Sequence, residues 1–179
     1  MLKLSNLISE ENEKYEYGCV MLYTDFPSQI IKLQDTIDPN DVQNPGIEHE
    51  PHCTLLYGLH AGVTIDQVES IVHDFKFSDL KAFNPSLFEN PEFDVFKYDV
   101  GYPTRGGSFL HQCNERLKKL PHTSSYPDYH PHMTIAYLQP GKGKKYVEYF
   151  KKYGAEEFMT SPKYIIFSKP DGSKTKIEF

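Results

Sequence analysis

The chain contains no tryptophan, only two arginines (Arg105 and Arg116) and only three cysteines in 179 residues. The shortage of arginine goes with a formal net charge of −6. Together they exclude the basic stripe with which proteins grip a long nucleic acid. A phosphoester substrate, if there is one, is therefore small or engaged over few phosphates. Cys19, Cys53 and Cys113 form no C-x-x-C pair. They read as small hydrophobes of a reducing compartment, with Cys19 and Cys53 in apolar, strand-like runs. No apolar run approaches the ~20 residues of a membrane span. Met1 to Tyr15 is polar and acidic, without the basic and apolar regions of a signal peptide, so the expected location is the cytoplasm. What is present is enough for a core: 39% hydrophobic and 14% aromatic residues, in a length that suits one domain spanning 1–179 or two small lobes sharing a core.

Periodicity divides the chain into alternating elements. Tyr17 to Thr24 reads as a strand buried on both faces. Pro27 opens a helix over Ser28 to Ile37, and Asn44-Pro45-Gly46 marks a turn. His52 to Leu59 is a strand. Thr64 is an N-cap, with Asp66 and Gln67 as first-turn partners of a helix carrying Ile65, Val68, Ile71, Val72 and Phe75. Asn84-Pro85 reads as a loop or bulge. Phe93 to Val100 is a strand, Ser108 to Leu120 a helix, His132 to Leu138 a strand and Lys144 to Tyr153 a helix. Short strands follow at Phe158-Met159, Tyr164 to Ser168 and Thr175 to Phe179, the last two joined through Asp171-Gly172. The two basic runs, Lys142 to Lys145 and Lys151-Lys152, read as solvated faces. The order, strand-helix-strand-helix-strand followed by a similar alternation, implies two equivalent halves.

One phrase occurs twice. Pro51-His52-Cys53-Thr54-Leu55-Leu56-Tyr57 returns as Pro131-His132-Met133-Thr134-Ile135-Ala136-Tyr137, eighty residues later. On a strand, residues i and i+2 share a face. Each copy therefore presents an imidazole beside a hydroxyl, while Cys53, Leu55, Met133 and Ile135 turn inward. By the same parity Tyr57 and Tyr137 face the core. Two such strands meeting across a cleft suit phosphodiester cleavage. A neutral imidazole removes a proton, a protonated one donates to the leaving oxygen, and the threonines donate to non-bridging oxygens. A reference pKa of ~6.5 keeps both forms of histidine available. His122-Thr123-Ser124 fits the short pattern but lies among polar, turn-forming residues. His130 and His132, or His49 and His52, lack the Asp, Glu or Cys partners of a metal site, so no metal or other cofactor is implied.

The paired His-x-Thr-hydrophobic motif resembles the signature of the 2H phosphoesterase superfamily. The resemblance implies a bilobal, pseudo-two-fold α+β fold in which two antiparallel sheets line a central groove with helices outside. It implies His52 and His132 as acid and base, and Thr54 and Thr134 as phosphate ligands, without saying which histidine is which. The fuller phrases Glu50 to His60, His130 to Tyr137 and Pro162 to Ser168 are most similar to the bacteriophage anti-CBASS phosphodiesterases. These degrade the cyclic di- and trinucleotide signals of bacterial antiviral defence. The implied partner is a small cyclic oligonucleotide such as 3′,3′-cyclic GMP-AMP, with no long nucleic acid and no membrane. The resemblance places a substrate-contacting tyrosine near Tyr17, and Glu157 and Tyr164, beyond the second motif, are candidates for base-edge recognition and stacking. Thr104 to Ser108, ahead of a helix, reads as a plain loop rather than a phosphate-binding turn. Two further readings stay open: a phosphodiesterase of RNA 2′,3′-cyclic phosphate ends or 2′-5′ linkages, and a sponge that binds cyclic nucleotides without cleaving them.

Overall fold

The structure, a computed structural model, describes residues 15–101, 109–124 and 128–178. The loop at 104–108 lies outside them. Nine strands and four α-helices follow in the order β1 (Gly18–Tyr23), α1 (Ser28–Gln34), β2 (Val42–Ile47), β3 (His52–Leu59), α2 (Ile65–Val72), β4 (Leu80–Glu89), β5 (Asp94–Gly101), α3 (Phe109–Leu117), β6 (His132–Leu138), α4 (Gly143–Lys152), β7 (Glu157–Thr160), β8 (Tyr164–Ser168) and β9 (Lys174–Ile177). The two motif strands begin and end where the sequence pattern places them. The helix after Thr64 starts through a capping box. Thr64 Oγ1 accepts from the Gln67 amide, while the Gln67 side chain accepts from the Thr64 amide at 2.9 Å, which satisfies two otherwise orphan donors.

The strands form one mixed-order, wholly antiparallel sheet: β7-β4-β5-β6-β3-β1-β8-β9, with β2 added beside β6. The α+β architecture is as expected, but the two sheets are halves of a single sheet. They join edge to edge at one residue pair, Cys53 with Met133. The reason is geometric. Both motif strands are paired at their first residues and run antiparallel, so they diverge from that point. β2 takes the place beside the rest of β6, with Val42 opposite Leu138 and Ile47 opposite Ala136.

One face of the sheet is covered. Ile30 and Leu33 of α1, Val68 and Val72 of α2, Leu110, Cys113 and Leu117 of α3, and Tyr146 and Phe150 of α4 join Val20, Leu22, Cys53, Met133, Phe96, Tyr98, Ile165 and Phe167 in one buried cluster. The largest of these side chains show the quality of the packing. Phe150 meets Phe96 edge-on with ring centroids 4.8 Å apart, and the buried Tyr98 hydroxyl donates to the Ala155 carbonyl at 2.5 Å, the partner its polar tip requires. The three cysteines are free thiols. Burial pushes Cys53 and Cys113 up to about 12 and the partly buried Cys19 up to about 11, so all three behave as small apolar side chains.

Two strands were not legible in the sequence. β4 runs straight through Asn84-Pro85, where its pairing with β5 skips from Phe83 opposite Asp99 to Ser86 opposite Lys97. Asn84, at φ 54°, carries the extra residue, and the bulge accommodates a proline that has no N–H to offer. β2 runs through Asn44-Pro45-Gly46, where the sequence suggests a turn; the strand continues there, and only its pairing with β6 is interrupted, between Val42 and Ile47.

Candidate active site

The uncovered face of the sheet carries the motif side chains. Stepping one residue each way from the Cys53–Met133 pair sets His52 across from Thr134 and Thr54 across from His132. All four point away from the core, because Cys53 and Met133 are fully buried on the other side. The two copies therefore cross-match: each imidazole faces the hydroxyl of the other copy.

The prolines and the residues before them orient the rings. Pro51 and Pro131 each enter a motif strand, where no N–H is needed. Their carbonyls accept from the amides of Thr24 and Val100, both at 2.9 Å. His52 Nδ1 lies 2.9 Å from the Glu50 carbonyl oxygen, and His132 Nδ1 lies 2.8 Å from that of His130. A carbonyl can only accept, so each Nδ1 carries the hydrogen and each Nε2 is left to exchange a proton in the groove. His122 makes the same contact, Nδ1 to the Leu120 carbonyl at 2.9 Å. It sits, however, in an isolated bridge to Leu59 at the far end of β3, away from the four motif residues.

The histidines have different neighbours. Glu48 Oε2 lies 3.8 Å from His52 Nδ1. His52 also stacks on Tyr23 at 5.2 Å, and Tyr23 stacks on Tyr164 at 5.2 Å, a ladder of three rings on one side of the groove. The His132 ring meets the edge of Phe88 at 5.0 Å. Burial holds the pKa of His132 below the ordinary histidine value. The Lys97 ammonium and His52 push the same way, against the His130 carbonyl and the Asp99 carboxylate.

A bulge in each motif strand changes the expected faces. Thr54 pairs with Met21 and Leu56 with Val20, so Leu55 is an extra residue in β3. Thr134 pairs with Lys97 and Ala136 with Phe96, so Ile135 is an extra residue in β6. Each bulge inverts the parity beyond it. Tyr57 and Tyr137, which the alternation assigns to the core, therefore join the histidine face. Tyr57 is 48% exposed, and Tyr137 packs against Phe93 at 5.6 Å. The displaced carbonyls are caught by buried amides from the helical layer. Asn114 of α3 donates to the Leu55 oxygen at 2.6 Å, and Gln34 of α1 donates to the Ile135 oxygen at 3.1 Å and to that of Glu48 at 2.8 Å.

No family model and no curated protein matches the chain. Solved structures do. Usb1 of Kluyveromyces marxianus aligns with a TM-score of 0.59 over 93% of this chain and 99% of its own, at 11% identity. The fold is a 2H phosphoesterase fold. The same neighbour with uridine monophosphate gives a TM-score of 0.59 over 91% and 98% of the two chains, at 11% identity. Escherichia coli LigT complexed with 3′-AMP aligns at 0.44 over 92% and 96%, at 14% identity.

In the 2H phosphoesterase fold of this chain the remaining sequence-derived residues are spread along the open face. Tyr164 is two strands from β3, on the ring ladder. Tyr17 lies before β1, its ring 6.2 Å from Tyr57 and 6.1 Å from His60, toward the end of β3 remote from His52. Glu157 is on β7, three strands from His132, where it is paired with Lys81 at 2.5 Å. Both partners are solvated, so exchanging Lys81 for a ligand costs about 0–1 kcal/mol. Tyr164 is thus grouped with the histidines; Tyr17 and Glu157 stand at opposite margins. Tyr23, Phe88, Lys97 and Asp99 also border the motif residues and were not singled out in the sequence. The one available signal was a charged pair, Lys97 and Asp99, alternating with apolar residues in an otherwise buried strand. No helix among the described residues is long and apolar enough to cross a membrane, and no three potential metal-ligating side chains among them come together.

Proposed function

We infer that the chain is a phosphodiesterase of the 2H phosphoesterase superfamily that opens small cyclic oligonucleotides by two-histidine acid–base catalysis without a metal. The observation that carries this reading is the cross-matched pair: two imidazoles anchored through Nδ1, each opposite a threonine, on one uncovered face. His132 is the base and His52 the acid. A base must be neutral to accept a proton, and burial beside Lys97 favours the neutral ring at His132. The other ring then falls to the acid role, and the Glu48 carboxylate stands 3.8 Å from its Nδ1. His132 Nε2 takes the proton of a ribose 2′-hydroxyl, whose oxygen attacks the adjacent phosphorus. The bond from phosphorus to the 5′-oxygen breaks, and that oxygen takes the proton from His52 Nε2. Thr54 and Thr134 donate to the non-bridging oxygens as charge gathers there. The product is a 2′,3′-cyclic phosphate, or the monoester after water repeats the step.

The cyclic di- and trinucleotide signals of bacterial defence are the proposed substrates, which makes the role that of countering CBASS immunity in the bacterial cytoplasm. The resemblance of the extended motif phrases supports this, as do the net charge of −6 and the aromatic ladder beside His52. Incubation with 3′,3′-cyclic GMP-AMP in EDTA, followed by chromatography, should give linear products. Survival of that substrate together with other cyclic di- and trinucleotides sinks the reading. A second reading, RNA ends bearing 2′,3′-cyclic phosphate or 2′-5′ linkages, is favoured by the likeness to Usb1, which has been solved with uridine monophosphate. Faster turnover of such ends than of cyclic oligonucleotides decides for it. Tight binding of cyclic nucleotide with no product at all decides for a sponge.

The base assignment also predicts a pH profile. His132 must be neutral, and its pKa lies below the ordinary 6.5. The acid limb of kcat/KM should therefore fall below pH 6.5, with the rate lost as pH drops through that limb. An acid limb above 6.5 contradicts His132 as the base.

A further inference from the structure

The two halves of the site match in backbone and differ in chemistry at two positions. On β5, Lys97 stands across from Thr134 and Asp99 across from His132. On β1 the corresponding positions, across from Thr54 and His52, hold Met21 and Tyr23. The chain thus supplies its own control: this part of the fold forms in the other half without an ion pair. Yet the Lys97 side chain is only 8% exposed. Taking a lysine and an aspartate out of water is costly, and their mutual attraction often no more than offsets that cost. Stability does not explain the pair.

Its arrangement points to a ligand. Lys97 and Thr134, directly opposed on neighbouring strands, have Cβ atoms about 4.5–5.5 Å apart on one face. The Lys97 ammonium is ion-paired with one Asp99 oxygen, and the other Asp99 oxygen accepts from Asn84 Nδ2 at 2.6 Å. Asn84 reaches it from the β4 bulge. The ammonium lies 4.7 Å from the centre of the Phe88 ring, whose edge contact is with His132. An ammonium has three donors, and Asp99 takes one of them.

We propose that Lys97 is a third anion ligand of the site, donating with Thr134 to a non-bridging oxygen of the scissile phosphate, and that Asp99 and Asn84 are the positioning residues that aim it. This rests on the phosphodiesterase reading above. The cation is then supplied from one side only: Thr54 and Thr134 donate from both halves, but the positions matching Lys97 and Asp99 on the His52 half hold Met21 and Tyr23.

The test compares wild type with Lys97→Met/Asp99→Asn, which leaves no unpaired charge, and with Lys97→Arg. Melting curves confirm folding. Calorimetry then measures uridine 3′-monophosphate and uridine, and initial rates measure the cyclic dinucleotide. The double variant should bind the nucleotide about tenfold more weakly, raise KM by a similar factor, and bind uridine as wild type does. Lys97→Arg should stay within about threefold of wild type. A purely structural pair predicts a changed melting point with an unchanged nucleotide-to-uridine ratio, which overturns the proposal. Should the double variant not fold, wild type labelled at lysine Cε is titrated with inorganic phosphate. The signal missing from Lys97→Arg must shift, and an unmoved signal overturns the proposal. The two readings fail separately. A wild type that neither binds the nucleotide nor cleaves any phosphodiester removes both. A wild type that cleaves, with a folded double variant that matches it, removes only the role of Lys97.

Discussion

Alanine at His52 or at His132 should lower kcat by about 10²- to 10⁴-fold, the range expected when one partner of an acid–base pair is lost. The protein should remain folded. Both rings stand on the uncovered face, and each gives up one hydrogen bond to a backbone carbonyl, worth about 0.5–1.5 kcal/mol. The double variant should be little worse than the poorer single one, because the two groups act in one proton-transfer cycle and their effects do not add. Thr54→Val and Thr134→Val should cost less, about ten- to a thousandfold, since each removes one donor to the developing charge while leaving the proton route intact. Initial rates under saturating substrate, with melting curves as the control, check these outcomes. Turnover within tenfold of wild type in either alanine variant removes that histidine from the mechanism.

The second large effect is expected far from the groove, at the two amides behind the bulges. Asn114→Leu leaves the Leu55 carbonyl without the Asn114 donor in a buried setting, a loss of about 1–3 kcal/mol. For a chain of this size that is a fall in Tm of roughly 3–10 °C. Gln34→Leu should cost about as much: the Ile135 oxygen keeps the Glu48 amide at 3.0 Å, but the Glu48 carbonyl loses its Gln34 donor as well. Activity should fall further than stability does. Relaxation of either bulge shifts the register between the threonine and the tyrosine beyond it, and a displacement of about 1 Å near reacting groups can cost about a hundredfold. Denaturation midpoints and kcat, measured on the same preparations below the melting point, separate the two effects. A leucine variant that melts lower but turns over at the wild-type rate refutes the positioning role.

These two predictions also show where the sequence could be read and where it could not. His52–Leu59 and His132–Leu138 were legible to the residue, because proline, a histidine and apolar neighbours mark a strand entry. The capping box at Thr64 was legible because its chemistry is local. β4 was hidden by Asn84-Pro85, a pair that in isolation fits a loop as well as a bulge; the pairing with β5 decides for the bulge. The faces of Tyr57 and Tyr137 were misread for the same reason. A bulge is a property of two paired strands, and the alternation of one strand contains no trace of it. Gln34 and Asn114 sit on helices among polar neighbours, and nothing in their spacing shows that they turn inward toward a carbonyl some hundred residues away in the one case and about sixty in the other. The candidate histidines and threonines were visible from repetition; their surroundings depended on long-range pairing.

The single residue pair that joins the half-sheets, Cys53 with Met133, stands immediately next to both histidines in the chain. The spacing of the two imidazoles is therefore fixed locally, by one backbone pairing beside them, while Glu157 stands three strands from β6 and Tyr164 two strands from β3.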